Sequence, residues 1–166
     1  HAQAHAEAQS LFDSKLQFNW NKLFPKIDLP TFPLNTDGID PAAINVLVEN
    51  FYIENYDDAF AIKPCKKNFI YCNCASNMLM RNGNTKYSVG LSIGSVPPNT
   101  NTNCVRNITF DDVHMNLPFK ALYVKTNPGV NGDGIIDTIV YNNIKIKTPL
   151  WYPIWIGPQQ QKQPNH

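Results

Sequence analysis

The sequence predicts an all-β chain wound as a right-handed parallel β-helix of about four to five coils. Two families of short, β-rich runs recur in fixed order along it. The first comprises "NVLVENFYI" from Asn45, "NFIYCNC" from Asn68, "NITFDDVHM" from Asn107 and "DTIVYNNIKI" from Asp137. The second comprises "AFAI", "GLSI", "ALYV" and "PIWI", whose last residues, Ile62, Ile93, Val124 and Ile156, lie 31, 31 and 32 positions apart. Strand families repeating at a near-constant period mark a solenoid, because each coil can bury its inward face only against its neighbours. A third observation is the composition. There are 21 Asn, 13 Pro and 8 Gly among 166 residues, which suits short strands joined by tight turns, with Asn available for left-handed corners and rung-to-rung side-chain ladders.

The jelly roll or sandwich is the competing all-β architecture. It usually shows two-residue Asn-Gly or Asp-Gly hairpins between matched runs. "DG" at 37–38 and "NG" at 82–83 join no two such runs closely.

Taken in order, residues 1–30 read as an N-terminal segment or cap. They hold a short amphipathic piece near "AEAQSLFDSKLQ", and "LQFNWNKLFPKIDLPTF" does not make a full coil. The β-helix occupies 31–157, and 158–166 ("GPQQQKQPNH" runs through it) is a disordered tail. A solenoid truncated on its N-terminal side exposes an unpaired edge and an apolar end. The expectation is therefore a fragment of a longer precursor, an end-on contact with a second chain or copy, or an unusual cap.

With 14 Lys+Arg against 13 Asp+Glu, the chain carries no net field for nucleic acid or anionic lipid, and neither is expected as a partner. No run approaches the roughly 18 apolar residues of a membrane helix. The chain starts at His1 without Met or an apolar leader, which reads as a processed product. The sequon Asn107-Ile108-Thr109 makes Asn107 a glycosylation candidate, and Cys65, Cys72, Cys74 and Cys104 form an even set suited to two disulfides. Both point to secretion. Three pairings are open. Cys72 and Cys74 would share one face of a strand, and zinc is the alternative use of such a pair, but no His has suitable spacing, so no metal is expected. His114, alternating with apolar neighbours in "DDVHMN", reads as a satisfied strand residue.

The acidic residues carry the chemistry. Asp37 in "NTDGID" precedes Asp57 and Asp58 of "YDDAFAIK" by 20 and 21 residues, close to the 23 separating the first two members of the first strand family. That spacing predicts all three carboxyls on one patch, one rung apart. Crowded carboxylates raise at least one pKa, leaving an acid beside an ionised partner that can activate water, as glycoside hydrolysis needs. Each Asp alone reads better as a turn or solvated strand end, and a calcium site is the third possibility.

"NTDGID", "DDAFAIK", "GLSIGS" and "YVKT" before Pro128-Gly129 together resemble the motif series of glycoside hydrolase family 28, the polygalacturonases and related pectin hydrolases, in its C-terminal portion. The resemblance implies a right-handed parallel β-helix, inverting hydrolysis of a pectic polysaccharide and no cofactor. Carried over by position, it implies Asp57 as general acid and Asp37 with Asp58 handling the attacking water. Lys125 would bind a substrate carboxylate, with Asn35 and Tyr123 also on the substrate. Two positions depart from the family. Val89 stands where the family carries His in Gly-His-Gly, and Tyr123 replaces the Arg of Arg-Ile-Lys, so a neutral donor stands in for a bidentate cation. The departures support two expectations: a secreted hydrolase of galacturonan or rhamnogalacturonan type, or a catalytically impaired β-helix serving extracellular structure, assembly or carbohydrate binding.

Overall fold

The computed structural model describes residues 35–66, 70–96, 103–127 and 134–158. The expected cap over 1–30 and the tail beyond Pro158 lie outside the described residues. In chain order the strands are β1 (Ile44–Glu49), β2 (Tyr52–Glu54), β3 (Asp58–Ile62), β4 (Ala75–Lys86), β5 (Gly90–Val96), β6 (Asn103–Asn116), β7 (Leu122–Thr126), β8 (Gly134–Lys147) and β9 (Ile154–Pro158). A long sheet runs β1-β4-β6-β8, with β2 also on β4, and a short sheet runs β3-β5-β7-β9. Every pairing is parallel. The chain alternates between the two sheets and returns one rung further on, so the architecture is a parallel β-helix with four rungs among the described residues.

Register explains why these sequences stack. In the short sheet Ile62, Ile93, Val124 and Ile156 are successive partners, the period read from the sequence. In the long sheet Val46, Met78, Ile108 and Ile139 form one inward column, and Val48, Met80, Phe110 and Tyr141 form another. Phe60 and Phe110 meet edge to face at 5.7 Å, and Phe110 stacks on Tyr141 at 5.2 Å. Like thus packs on like from rung to rung, and the core is one continuous cluster between the sheets. On the outer face Arg81–Glu49, Lys86–Glu54 and Arg106–Asp137 pair across adjacent rungs. Exposed pairs contribute little energy each, but their signs match only in this register.

The corners of the coil are left-handed residues stacked in columns. One holds Asn45, Asn77, Asn107 and Thr138, another Asn50, Asn82, Asp112 and Asn143, all with φ between 51° and 60°. Asn tolerates this region because its short amide can hydrogen-bond locally. In the first column the amides also form a ladder: Asn107 Nδ2 donates to Asn77 Oδ1 at 2.8 Å, and Asn77 Nδ2 donates to Asn45 Oδ1 at 3.1 Å. The third column, Tyr87, Leu117 and Thr148, places larger residues at φ 52–61° where the chain leaves the long sheet.

One sequence expectation is corrected. The described part of "NFIYCNC", residues 70–74, is not a strand: Ile70 and Tyr71 form an exposed turn, 81% and 83% accessible, and β4 begins only at Ala75. Its two cysteines are held by disulfides instead of a ladder. Cys65–Cys72 closes the loop between β3 and β4, and Cys74–Cys104 joins the starts of β4 and β6 with Cα atoms 4.6 Å apart. Cys72 and Cys74 therefore take different partners, and no free thiol remains for zinc.

Asn77 is both a left-handed corner and the central rung of its ladder. Asn77→Gly, which keeps the backbone and loses two hydrogen bonds, is expected to cost about 1–2 kcal/mol, and Asn77→Ala about 1 kcal/mol more because alanine resists positive φ. Urea unfolding of the two variants measures both contributions.

Candidate active site

The third corner delivers the chain into the short sheet, and the residues just past it build the site. Asp57 and Asp58 lie at the start of β3, with the Asp58 N–H donating to Asp57 Oδ1 at 2.8 Å. One rung below, the Gly38 N–H donates to the Asp58 carbonyl at 2.8 Å, and Ile39 bridges Phe60. Asp37 therefore sits beside the pair. Gly38 is required for this approach, since a Cβ there would stand 2.4 Å from the Ala59 carbonyl oxygen. Two residues that the motifs did not single out fix the register. Asn55, buried, donates from Nδ2 to the Thr36 and Asp58 carbonyls, both at 2.8 Å, and Thr36 Oγ1 accepts from the Tyr56 N–H.

The three carboxylates converge: one oxygen from each of Asp37, Asp57 and Asp58 lies within 4.8 Å of the others. Asp58 is fully buried. Ser92 Oγ, from β5, donates to its Oδ1 at 2.6 Å, and Lys125 Nζ, from β7, pairs with its Oδ2. A single side chain is thus held from the next two rungs. "GLSIGS" supplies Ser92 and also Gly94, whose φ of 109° and closeness to the Lys125 carbonyl, 2.1 Å from a notional Cβ, exclude a side chain. On geometry alone the carboxylates could hold a divalent cation. The Lys125 ammonium already supplies positive charge at Asp58.

Burial raises the Asp37 carboxyl above the ordinary range, and the carboxylates of Asp40 and Asp58 push it further against the pull of Lys63 and Lys125. Burial likewise raises Asp57, reinforced by the charge of Asp37, with which it shares a side-chain hydrogen bond. Burial works to lower Lys125, but Asp58's charge and hydrogen bond outweigh it, and the ammonium is held above its usual range. The site thus holds two carboxyls that resist ionisation next to one that is paired with a fixed cation.

The remaining residues named from the sequence divide. Val89 is level with Asp57 on the next rung, its N–H donating to the Asp57 carbonyl at 2.8 Å, so an apolar side chain occupies that neighbouring position. Tyr123, buried on β7, lies between two lysines, its ring 4.9 Å from Lys125 Nζ and 4.2 Å from Lys120 Nζ. Asn35 is exposed with φ 54°. Asn107 and His114 sit on β6 in the long sheet, and His114 is 3.5 Å from Asp112 Oδ1. Lys120 is a residue the sequence reading missed. Only 4% exposed, it follows Val89 by one rung, its N–H donating to the Val89 carbonyl at 3.1 Å.

Comparison with known proteins identifies the family. The profile of Glycosyl hydrolases family 28 matches residues 19–165, nearly the whole chain. The chain belongs to this family. Among curated relatives, it is similar to probable exopolygalacturonase C of Neosartorya fischeri and of Aspergillus niger, each 29% identical across 80% of this chain and 28% of theirs. It is also similar to probable rhamnogalacturonase C of Aspergillus flavus, 32% identical over 66% of this chain and 21% of the relative. The chain thus spans about 28% of the length of the exopolygalacturonases it matches. No solved structure matches it. Family 28 membership accords with the parallel β-helix of the described residues.

Two substitutions should move stability in opposite directions. Lys125→Met leaves Asp58 buried without its cation and is expected to cost about 3–5 kcal/mol. For Asp37 the sign follows from its raised pKa. The native state binds this proton more tightly than the unfolded chain does, so it is penalised at neutral pH and relieved as pH falls toward 3.8. Asp37→Asn should therefore raise Tm at pH 7 by about 2–4 °C, the shift that ~1 kcal/mol produces in a domain of this size, and by less at pH 4. Thermal unfolding at the two pH values is the check.

Proposed function

We propose that this chain carries the hydrolytic site of a secreted, inverting family 28 glycoside hydrolase acting on a galacturonan- or rhamnogalacturonan-type pectic polymer. The observation that carries the reading is the meeting of Asp37, Asp57 and Asp58 from two successive rungs, with Lys125 fixed on the third of them. The relatives' names support the substrate class. Both oxygens of Asp58 are engaged, by Ser92 and Lys125, so Asp58 serves as the anchored charge and leaves the proton work to its neighbours.

Asp57, raised by burial and by Asp37, is the general acid: it protonates the glycosidic oxygen as the bond to the anomeric carbon breaks. Water attacks that carbon from the opposite face, and Asp37 accepts its proton with Asp58 holding the negative field. The hydrogen bond between Asp37 and Asp57 gives the proton a path back to the acid. The carboxylates are closer, within 4.8 Å, than the roughly 6.5–9.5 Å usual in inverting pairs. In this reading the water therefore rests on the open side of the triangle and not between opposed carboxylates. No metal or cofactor enters any step.

Secretion is supported by the two disulfides. Asn107 is the proposed glycan acceptor: it is exposed, and its amide keeps one N–H after linkage, enough for the hydrogen bond to Asn77. One observation favours the second reading, a catalytically impaired binding or assembly module: the apolar Val89 beside Asp57, which can tune no proton transfer. That module would associate end-on with a second chain or copy.

Reducing-end release from polygalacturonan and rhamnogalacturonan separates the two. The hydrolase reading expects turnover, with Asp57→Asn lowering kcat at least about 100-fold, and an inverted anomer as the first product by proton NMR. Turnover with retention would remove inversion, and the absence of turnover on every pectic polymer would leave the binding module.

A further inference from the structure

Lys120 is the one lysine among the described residues that is buried without a carboxylate in ion-pair contact. It is 4% exposed, and around its ammonium stand the rings of Tyr123 at 4.2 Å, Trp151 at 5.0 Å and Trp155 at 5.9 Å. Ring faces attract a cation, by about 0.5–2 kcal/mol each at most, which falls short of the cost of withdrawing an ammonium from water. Among the described residues such a group is left wanting an anion. The place is also informative. Asp57, Val89 and Lys120 follow one another in a column, the Val89 N–H donating to the Asp57 carbonyl and the Lys120 N–H to the Val89 carbonyl. Two rung spacings put Lys120 about 10 Å along the stack from the acid. Beside it Trp151 and Tyr152, half exposed, present flat faces suited to a sugar ring.

We propose that Lys120, ringed by Tyr123, Trp151 and Trp155, is a specificity-determining residue that receives the carboxylate of a uronate unit bound next to the aspartates, while the aromatic faces take its ring. The inference rests on the pectic reading of the site. Its acidic neighbours, Asp57 and Asp58, are too few to compensate the ammonium, and Lys125 opposes it: burial pushes Lys120 down to about 8. A bound carboxylate would restore the charge. Tyr123, between Lys120 and Lys125, couples the pocket to the ion pair at Asp58.

The test measures binding of oligogalacturonate and of its methyl ester to the chain by calorimetry, with Lys120→Met, Lys120→Arg and Asp57→Asn alongside. Lys120→Met is expected to weaken the acid oligomer at least tenfold and the ester less than twofold, with Lys120→Arg close to the unaltered chain. Asp57→Asn should lose hydrolysis while still binding the acid oligomer in a Lys120-dependent way. Equal weakening of acid and ester by Lys120→Met, as a structural role would give, or no weakening of either, overturns the inference. So does an unaltered chain that binds neither. Lys120-dependent binding without hydrolysis would remove the hydrolase reading alone. A measurement without mutation is the pKa of Lys120 by carbon NMR of its side chain, with Asp57, Asp58 and Lys125 as the facing charges. It should rise on adding the acid oligomer, and an unchanged value overturns the assignment.

Discussion

In-register stacking of one coil on the next is the constraint on which everything else in this molecule depends. A coil of this length cannot bury its apolar face alone. Its Val, Ile, Met and Phe residues become a core only when Val46 meets Met78 and Met78 meets Ile108. The corners enforce the same alignment. A left-handed residue on one rung is stabilised where the next rung turns at the same level, and the Asn45–Asn77–Asn107 ladder converts that coincidence into hydrogen bonds. A slip of one residue would break the ladder, separate the surface ion pairs and turn core side chains outward.

The site follows from the same constraint. Carboxylates far apart in sequence are forced together because β-helix geometry leaves them no other level to occupy. The resulting repulsion is accepted at Asp37 and Asp57 and relieved at Asp58, where Ser92 and Lys125 reach across from the next two rungs. A buried carboxylate with a buried cation stabilises little in itself. What it adds is negative charge beside Asp37, which pushes that carboxyl's pKa further up. The larger residues at the third corner, Tyr87, Leu117 and Thr148, hold positive φ immediately before the site segments. Backbone strain of this kind tends to collect where function fixes the chain.

The architecture was legible because the second strand family keeps an undisturbed period, Ile62 to Ile156. The long sheet was less so. "NFIYCNC" has the composition of a strand, but its described residues 70–74 are a disulfide-bound turn, whereas "ASNMLMRNGNTK", rich in polar corner residues, is the strand. The spacing of 23 taken from that false member nevertheless led to the right neighbourhood for Asp37. The Ile39 bridge to Phe60 is offset by 21 residues because the first coil passes from Pro41 straight into β1. Later coils insert a loop such as the one closed by Cys65–Cys72 and extend to 30–32. The acidic residues and Lys125 could be found from their motifs. Asn55, Thr36 and Lys120 could not, because their roles come from hydrogen bonds and ring faces supplied by other rungs, which no local pattern encodes.

The column running from Asp57 through Val89 and Lys120 toward Tyr152 has a consequence for how such a protein can change. Each storey contributes one side chain to the same wall, and the pitch between storeys is set by backbone geometry alone. The charge or ring shape at one storey can then change by substitution while the carboxylates two storeys away keep their positions.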